Sequence, residues 1–167
     1  GYDGEEGLDW LYEATASWIE TTTVGPDQDA TDYTEADFET PQLCWTTTVG
    51  GHDYGQWTLL QSLADSYGED FMVRIWENSV ELDGFDTLQA ALDDHRTTIP
   101  DVIQRWRAQN YARAYDLAPL FPIAVHPQPP LSREGRWTLT GGLEQPGANY
   151  YDFELDGLSA FLSLIQL

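Results

Sequence analysis

Near the start of the chain, Leu8, Leu11, Tyr12, Thr15, Trp18 and Ile19 recur at helical spacing, which predicts a first helix from about Gly7 to Thr21. Glu13 lies off that stripe, and the opposite side carries Trp10, Ala14 and Ser17, so the helix is expected to be semi-buried on two sides. From Thr22 to Gly51 the periodicity dissolves into Thr, Asp, Gly and Pro, with a turn signal at Val24-Gly25-Pro26-Asp27, and a long loop is expected. Helical spacing returns at Trp57, Leu60, Leu63, Ala64 and Tyr67, stopped by Gly68, and again at Phe71, Met72, Ile75 and Trp76. Asp86 with Gln89 reads as an acidic variant of the capping box for a helix through about His95. Ile99-Pro100 opens another, with Val102, Ile103, Trp106 and Asn110 along one side.

Beyond Pro119 the pattern changes. Pro119, Pro122, Pro127, Pro129 and Pro130 mark a stiff connection, after which Arg136 to Thr140, Tyr150 to Leu155 and Ala160 to Leu167 read as strands. Gly141-Gly142 and Asp156-Gly157 supply the turns. The expected fold class is α+β: a mainly helical lobe over residues 1–118, a proline-rich linker over 119–135 and a small antiparallel β-unit over 136–167. Three strands do not close a sandwich, so the unit is expected to be the start of an accessory β-domain, or to pair its sparsely charged last strand with a partner or a second copy.

Composition narrows the function classes. Seven Trp, nine Tyr and six Phe supply large buried areas and argue for a folded chain despite its acidity. Seven basic residues, all Arg, stand against 29 acidic ones, for a formal charge of -22. Such a surface repels a phosphate backbone and carries no basic stripe, which excludes nucleic acid as a partner and disfavours anionic membrane. No apolar run is long enough to predict membrane insertion. The single cysteine, Cys44, excludes an internal disulfide framework and is expected to be a small buried hydrophobe. The three guanidiniums of Arg105, Arg107 and Arg113 are expected to pair with local carboxylates.

The segment WLYEATASWIE, Trp10 to Glu20, holds one glutamate followed by small residues within aromatic surroundings. It resembles the glutamate-bearing helix of gluzincins, the zinc peptidases in which two histidines of a His-Glu-x-x-His motif and a glutamate on a later helix bind the metal. More closely, it is similar to the W-x-x-E-A-(S/T)-A-x-W-x-E pattern of secreted metalloproteases of bacteria and archaea. The stretch HDYGQWTLLQSLADSYGEDFMVRIWENS resembles the same family's downstream region, Gln109-Asn110-Tyr111 loosely resembles the aromatic-Asn-Tyr segment that ends its helical subdomain, and PGANYYDFEL resembles the start of the β-domain that follows the peptidase unit. The resemblance implies that Glu13 is the third zinc ligand, and that Ala14 and Ala16 let a histidine-bearing helix approach while Trp10 and Trp18 fix the carboxylate. It further implies that His52 or Tyr54 donates to the oxyanion of the tetrahedral intermediate, with a peptide as substrate and an extracellular or cell-surface location.

His52, His95 and His126 stand isolated, with no His-Glu-x-x-His in the chain. The expectation is therefore a downstream fragment of an extracellular zinc-dependent endopeptidase, inactive alone, whose two histidine ligands lie on a missing upstream segment. Two other readings stand beside it. The acids Asp27, Asp29, Asp32, Glu35, Asp37 and Glu39 could hold Ca2+ in a loop, although their spacing is not that of an EF-hand. Trp45 and Trp137, away from helical core spacing, could form a carbohydrate- or surface-binding platform in a non-catalytic module.

Overall fold

The computed structural model describes residues 7–114, 116–120, 124–125, 147–155 and 158–165. Over these the chain is mainly helical: α1 Asp9–Val24, α2 Gln28–Glu39, α3 His52–Gly55, α4 Trp57–Tyr67, α5 Asp70–Asn78, α6 Gly84–Asp93 and α7 Ile99–Ala112. Helix α1 outruns its expected end and stops where Gly25 takes φ 96° and returns its N–H to the Thr21 carbonyl. Its buried face is Trp10, Leu11, Ala14, Ser17, Trp18 and Thr21, rotated from the expected stripe, and Ile19 is 52% exposed. The small residues Ala14 and Ser17 let α3 and α4 pack closely against this helix. Ala16, by contrast, is exposed.

The expected loop from Thr22 to Gly51 is largely a helix. Asp27 caps α2 by accepting the Ala30 N–H at 2.9 Å, and the buried face is Ala30, Thr34, Asp37 and Phe38. That face has helical spacing but is mostly small or polar, so hydrophobic periodicity could not reveal it. Each buried polar group has a partner: the Trp57 indole donates to Thr34 Oγ1 at 2.8 Å, and Asp37 meets Arg107. Trp45, in the remaining loop, is fully buried and set edge-on against Trp10, 4.6 Å between centroids, which removes it as an exposed platform. Trp137 lies outside the described residues, and Cys44 is half-buried rather than buried.

Helices α4 and α5 follow the expected spacing, and α4 ends at Gly68, where φ is 90°. The Asp86–Gln89 capping box does not form. Helix α6 starts earlier, at Gly84, and Gln89 instead ties it to α7, accepting the Ile99 N–H and donating to the Thr97 carbonyl. Helix α7 carries a true capping box between Thr98 and Asp101, with Pro100 in its first turn.

The described strands, β1 Ala148–Leu155 and β2 Leu158–Ile165, make one antiparallel hairpin, in register from Ala148↔Ile165 to Leu155↔Leu158. A hairpin is not the separate antiparallel β-unit that was expected, because two strands alone bury no core of their own. This one leans on the helices: the Ala148 N–H bonds the Pro41 carbonyl at 2.7 Å, and Tyr150, fully buried beside Phe38 and Val125, donates its hydroxyl to the Arg107 carbonyl at 3.0 Å. The expected strand Arg136–Thr140, the Gly141-Gly142 and Asp156-Gly157 turns and most of the proline-rich connection lie outside the described residues.

Candidate functional site

The short helix α3 holds the site residues between α1 and α2. Gly50 and Gly51 bring the chain into it at φ 68° and 81°, and a Cβ on Gly51 would stand 2.8 Å from the Tyr33 ring. A Cβ on Gly55 would meet the Tyr33 carbonyl oxygen at 2.6 Å and the Asp37 Cβ at 3.0 Å, so only glycine lets α3 lie this close to α2. One turn then presents His52 to one neighbourhood and Asp53 and Tyr54 to another.

Tyr54 and Glu13 meet. The half-exposed phenol lies beside the Glu13 carboxylate, whose hydrogen-bonding influence is the first cause of a hydroxyl pKa held above its ordinary value; burial and the Glu13 charge add to it. Tyr33 stacks on Tyr54 at 4.5 Å between centroids. Asp53, next in the chain, is 5% exposed, and its Oδ1 has no hydrogen-bond partner. Burial first, and then the charges of Glu13 and Asp9, push its carboxyl above the usual range, against the backbone N–H groups of Asp53 and Tyr54. At this corner of α1 and α3 the buried Asp53 carboxyl thus feels the charges of Glu13 and Asp9, although among the described residues no three acids come close enough to hold a metal ion.

His52 is not in this corner. It is 1% exposed, with Nε2 2.7 Å from Thr40 Oγ1 and Nδ1 3.3 Å from Asp37 Oδ1. Asp37 also faces Arg107 Nη1 at 3.4 Å and accepts from Gln56 Nε2 at 3.2 Å, all of these side chains being buried. Burial lowers the imidazole pKa most, Asp37 opposes it and Arg107 reinforces it, which favours the neutral ring. Thr40 Oγ1 gives its one proton to the Ala36 carbonyl at 2.7 Å and so accepts from Nε2–H, while Nδ1, though near Asp37, has no hydrogen-bond partner.

The remaining charged residues have structural tasks. Among the three arginines, Arg107 pairs with a carboxylate as expected, Arg105 donates to the Tyr67 hydroxyl at 2.7 Å, and Arg113 donates to the Ala118 carbonyl. The acids of the 27–39 segment are spread around α2, with Asp27 in the cap, Asp32 accepting from Gln28 and Asp37 turned inward. His95 packs on Tyr67 and Phe71, and His126 lies outside the described residues. Among the described residues no group of three or more His, Cys, Asp or Glu could hold a metal ion, so Glu13 and Asp53 offer oxygens but not a complete coordination shell.

No family model, no curated protein and no solved structure matches this chain. What the corner can do follows from its own groups. A half-exposed carboxylate can ligate a cation, a protonated phenol can donate to a developing oxyanion, and an unpartnered buried carboxylate oxygen can accept a donor. The sequence pointed to Glu13, His52 and Tyr54, named Asp37 only within an acidic cluster for Ca2+, and missed Asp53 and Tyr33. The Gly-Gly pair before HDYG was the one available signal that a tight turn would bring those residues together.

Proposed function

We propose that this chain is the downstream lobe of an exported zinc-dependent endopeptidase, with Glu13 as the third metal ligand. The observation that carries this reading is that Glu13 and Tyr54, two residues from separate elements that the family resemblance had nominated for ligand and oxyanion donor, are close enough for Glu13 to raise the Tyr54 hydroxyl pKa. A zinc ion bound there would polarise the peptide carbonyl and activate water. Two histidines and the general-base glutamate would come from an upstream segment, since the described residues do not provide them.

In this account Glu13 contributes an anionic oxygen from a helix held rigidly by Trp10 and Trp18. The exposed Ala16, one turn on, leaves room for a neighbouring helix. Tyr54 donates to Glu13 while the carboxylate is otherwise unengaged, and turns its proton to the substrate oxyanion when Glu13 has another partner. Its raised pKa keeps that proton in place across neutral pH. His52 serves by anchoring α3 to α2 through Thr40 and Asp37. The hairpin β1–β2 is the beginning of the accessory β-domain in the same reading.

The test is to combine the chain with the upstream segment of its polypeptide and follow zinc uptake and cleavage of internally quenched peptides. Zinc-dependent internal cleavage is expected, abolished by Glu13→Ala and reduced about 100- to 1,000-fold by Tyr54→Phe. Cleavage and zinc uptake indifferent to Glu13→Ala would refute the assignment. A second reading, a non-catalytic module that assembles through its β-edge, is favoured by β2 having β1 as its sole strand partner among the described residues. Concentration-dependent association that deletion of 158–165 abolishes, without any zinc-dependent cleavage, would support it instead.

A further inference from the structure

Between α1, α4 and the segment after α7 lies a cavity of about 390 Å³, within the size range of small-molecule sites. Two core side chains line it, Trp18 at 9% exposure and Gln61 at 7%, and the partly buried Ala64 and Leu117 add apolar surface. Three exposed residues, Asp65, Glu69 and Asp116, bring carboxylates to it, and no arginine among the described residues lines it. A chain of hydrogen bonds runs from the core to this rim. The Trp18 indole donates to Gln61 Oε1 at 3.0 Å, Gln61 Nε2 donates to Asp65 Oδ1 at 2.6 Å, and the Asp116 N–H donates to Asp65 Oδ2 at 3.4 Å. Each Asp65 oxygen keeps a further lone pair, so a carboxylate fixed in place can still accept a donor from the cavity. Glu69 precedes α5 but makes no side-chain cap for it. Thr22 and Asp65, both on the lining, belong to the last turns of α1 and α4, where no basic residue meets the partial negative charge of the helix carbonyls.

We infer that this cavity binds a primary ammonium group on an apolar stem, whether a free alkylamine or the lysine side chain of a peptide. The acids surround a space rather than converge on a point, since among the described residues no group of three could hold a metal ion. A cavity of this size takes an organic cation instead. An ammonium carries three N–H donors on one tetrahedral centre, which suits acceptors arriving from α4, from the α4–α5 junction and from the stretch after α7 better than a planar guanidinium does. Its stem lies against Trp18, Ala64 and Leu117, which take apolar surface out of water. The two helix ends add a field of the same sign as the carboxylates. Neither Glu13 nor Tyr54 lines the cavity, so the site is separate from the proposed zinc ligand.

Binding is measurable on the chain without zinc. At neutral pH and fixed ionic strength the protein is titrated with n-butylamine, 1-butanol and N-acetyl-lysinamide, while the Trp18 indole N–H and the Gln61 side-chain amide are followed by NMR. Butylamine is expected to shift both resonances saturably, with half-saturation at a concentration at least about tenfold lower than 1-butanol needs. Tighter binding of N-acetyl-lysinamide than of butylamine would identify a peptide lysine as the occupant, and the reverse order a free amine. Glu69→Gln combined with Asp116→Asn, both on exposed residues, is expected to cut the preference for the amine to about threefold or less. Asp65 is left intact in that variant because it holds Gln61 and the segment after α7. Ala64→Leu, which fills the cavity, should weaken every probe, and Glu77→Gln, away from the lining, should change none. Equal half-saturation by butylamine and 1-butanol, shifts that rise without saturating, or an amine preference that survives the paired Glu69 and Asp116 substitutions would each overturn the site. None of those outcomes touches the zinc assignment, which stands or falls with Glu13.

Discussion

The two sides of α3 handle buried carboxylates in opposite ways. On one side Asp37 is sealed among Arg107, His52 and Gln56, beneath helices and a strand whose Tyr150 bonds the Arg107 carbonyl. On the other, Asp53 is buried with an Oδ1 that has no hydrogen-bond partner, under the like charges of Glu13 and Asp9. A buried charge is tolerated only when paired, so the first arrangement reads as structure. The second keeps carboxylates in a position that costs stability, and such unrelieved sites are where binding and chemistry are found. Because one four-residue turn carries both, the paired side holds the unpaired side in place.

Breaking the paired side should have the largest effect. Arg107→Met leaves Asp37 buried without its cation and is expected to cost about 3–5 kcal/mol, read from urea unfolding. A loss below 1 kcal/mol would mean that Asp37 finds water, and that the contrast with Asp53 is smaller than argued. Next comes the contact that places both sides: in Gly55→Ala the added methyl meets the Tyr33 carbonyl at 2.6 Å. A cost of about 1–3 kcal/mol is expected, together with a changed near-ultraviolet circular dichroism signal as the Tyr33–Tyr54 stack opens.

pH sharpens the contrast further. The His52 pKa is lowered in the folded chain, so below the ordinary imidazole range the unfolded state takes up more protons than the folded one. Stability contributed by the neutral ring is therefore present above that range and lost as pH falls through it. The difference in unfolding free energy between the wild type and His52→Gln should shrink as pH falls from neutrality toward the acid range, and a constant difference would show that His52 titrates as if exposed. Asp53 behaves in the opposite sense: its raised carboxyl depresses stability above the usual carboxylate range. Asp53→Asn should accordingly raise the melting temperature at neutral pH by a few degrees, equivalent to about 1 kcal/mol. A fall would place Asp53 among the structural residues. Smallest of all, Glu13→Gln should change stability by no more than about 0.5 kcal/mol, because that side chain is half-exposed.

How far the sequence could be read follows the same divide between apolar and polar burial. The faces of α4, α5 and α7 were legible because Leu60, Leu63, Phe71, Ile75, Val102 and Ile103 carry the helical period in apolar residues. Helix α2 was not, since Thr34 and Asp37 are buried through partners on distant elements, Trp57 and Arg107. Glu13 and Tyr54 could be named from a local resemblance. That His52 would turn inward could not, because its direction depends on Thr40 and Asp37 across a turn set by Gly51 and Gly55. Trp45 looked like a loop residue by pattern and is core by packing, held by Trp10.

The most direct test of the central claim is the zinc affinity of the chain combined with an upstream segment that carries the two proposed histidine ligands, compared between wild type and Glu13→Gln. Loss of one of the ligands should weaken tight, stoichiometric binding by at least about 100-fold while the fold, followed by circular dichroism, stays intact. Unchanged affinity in Glu13→Gln, or no zinc uptake by the combined segments, would contradict the account and leave the Glu13–Tyr54 contact as packing at the edge of a helical core.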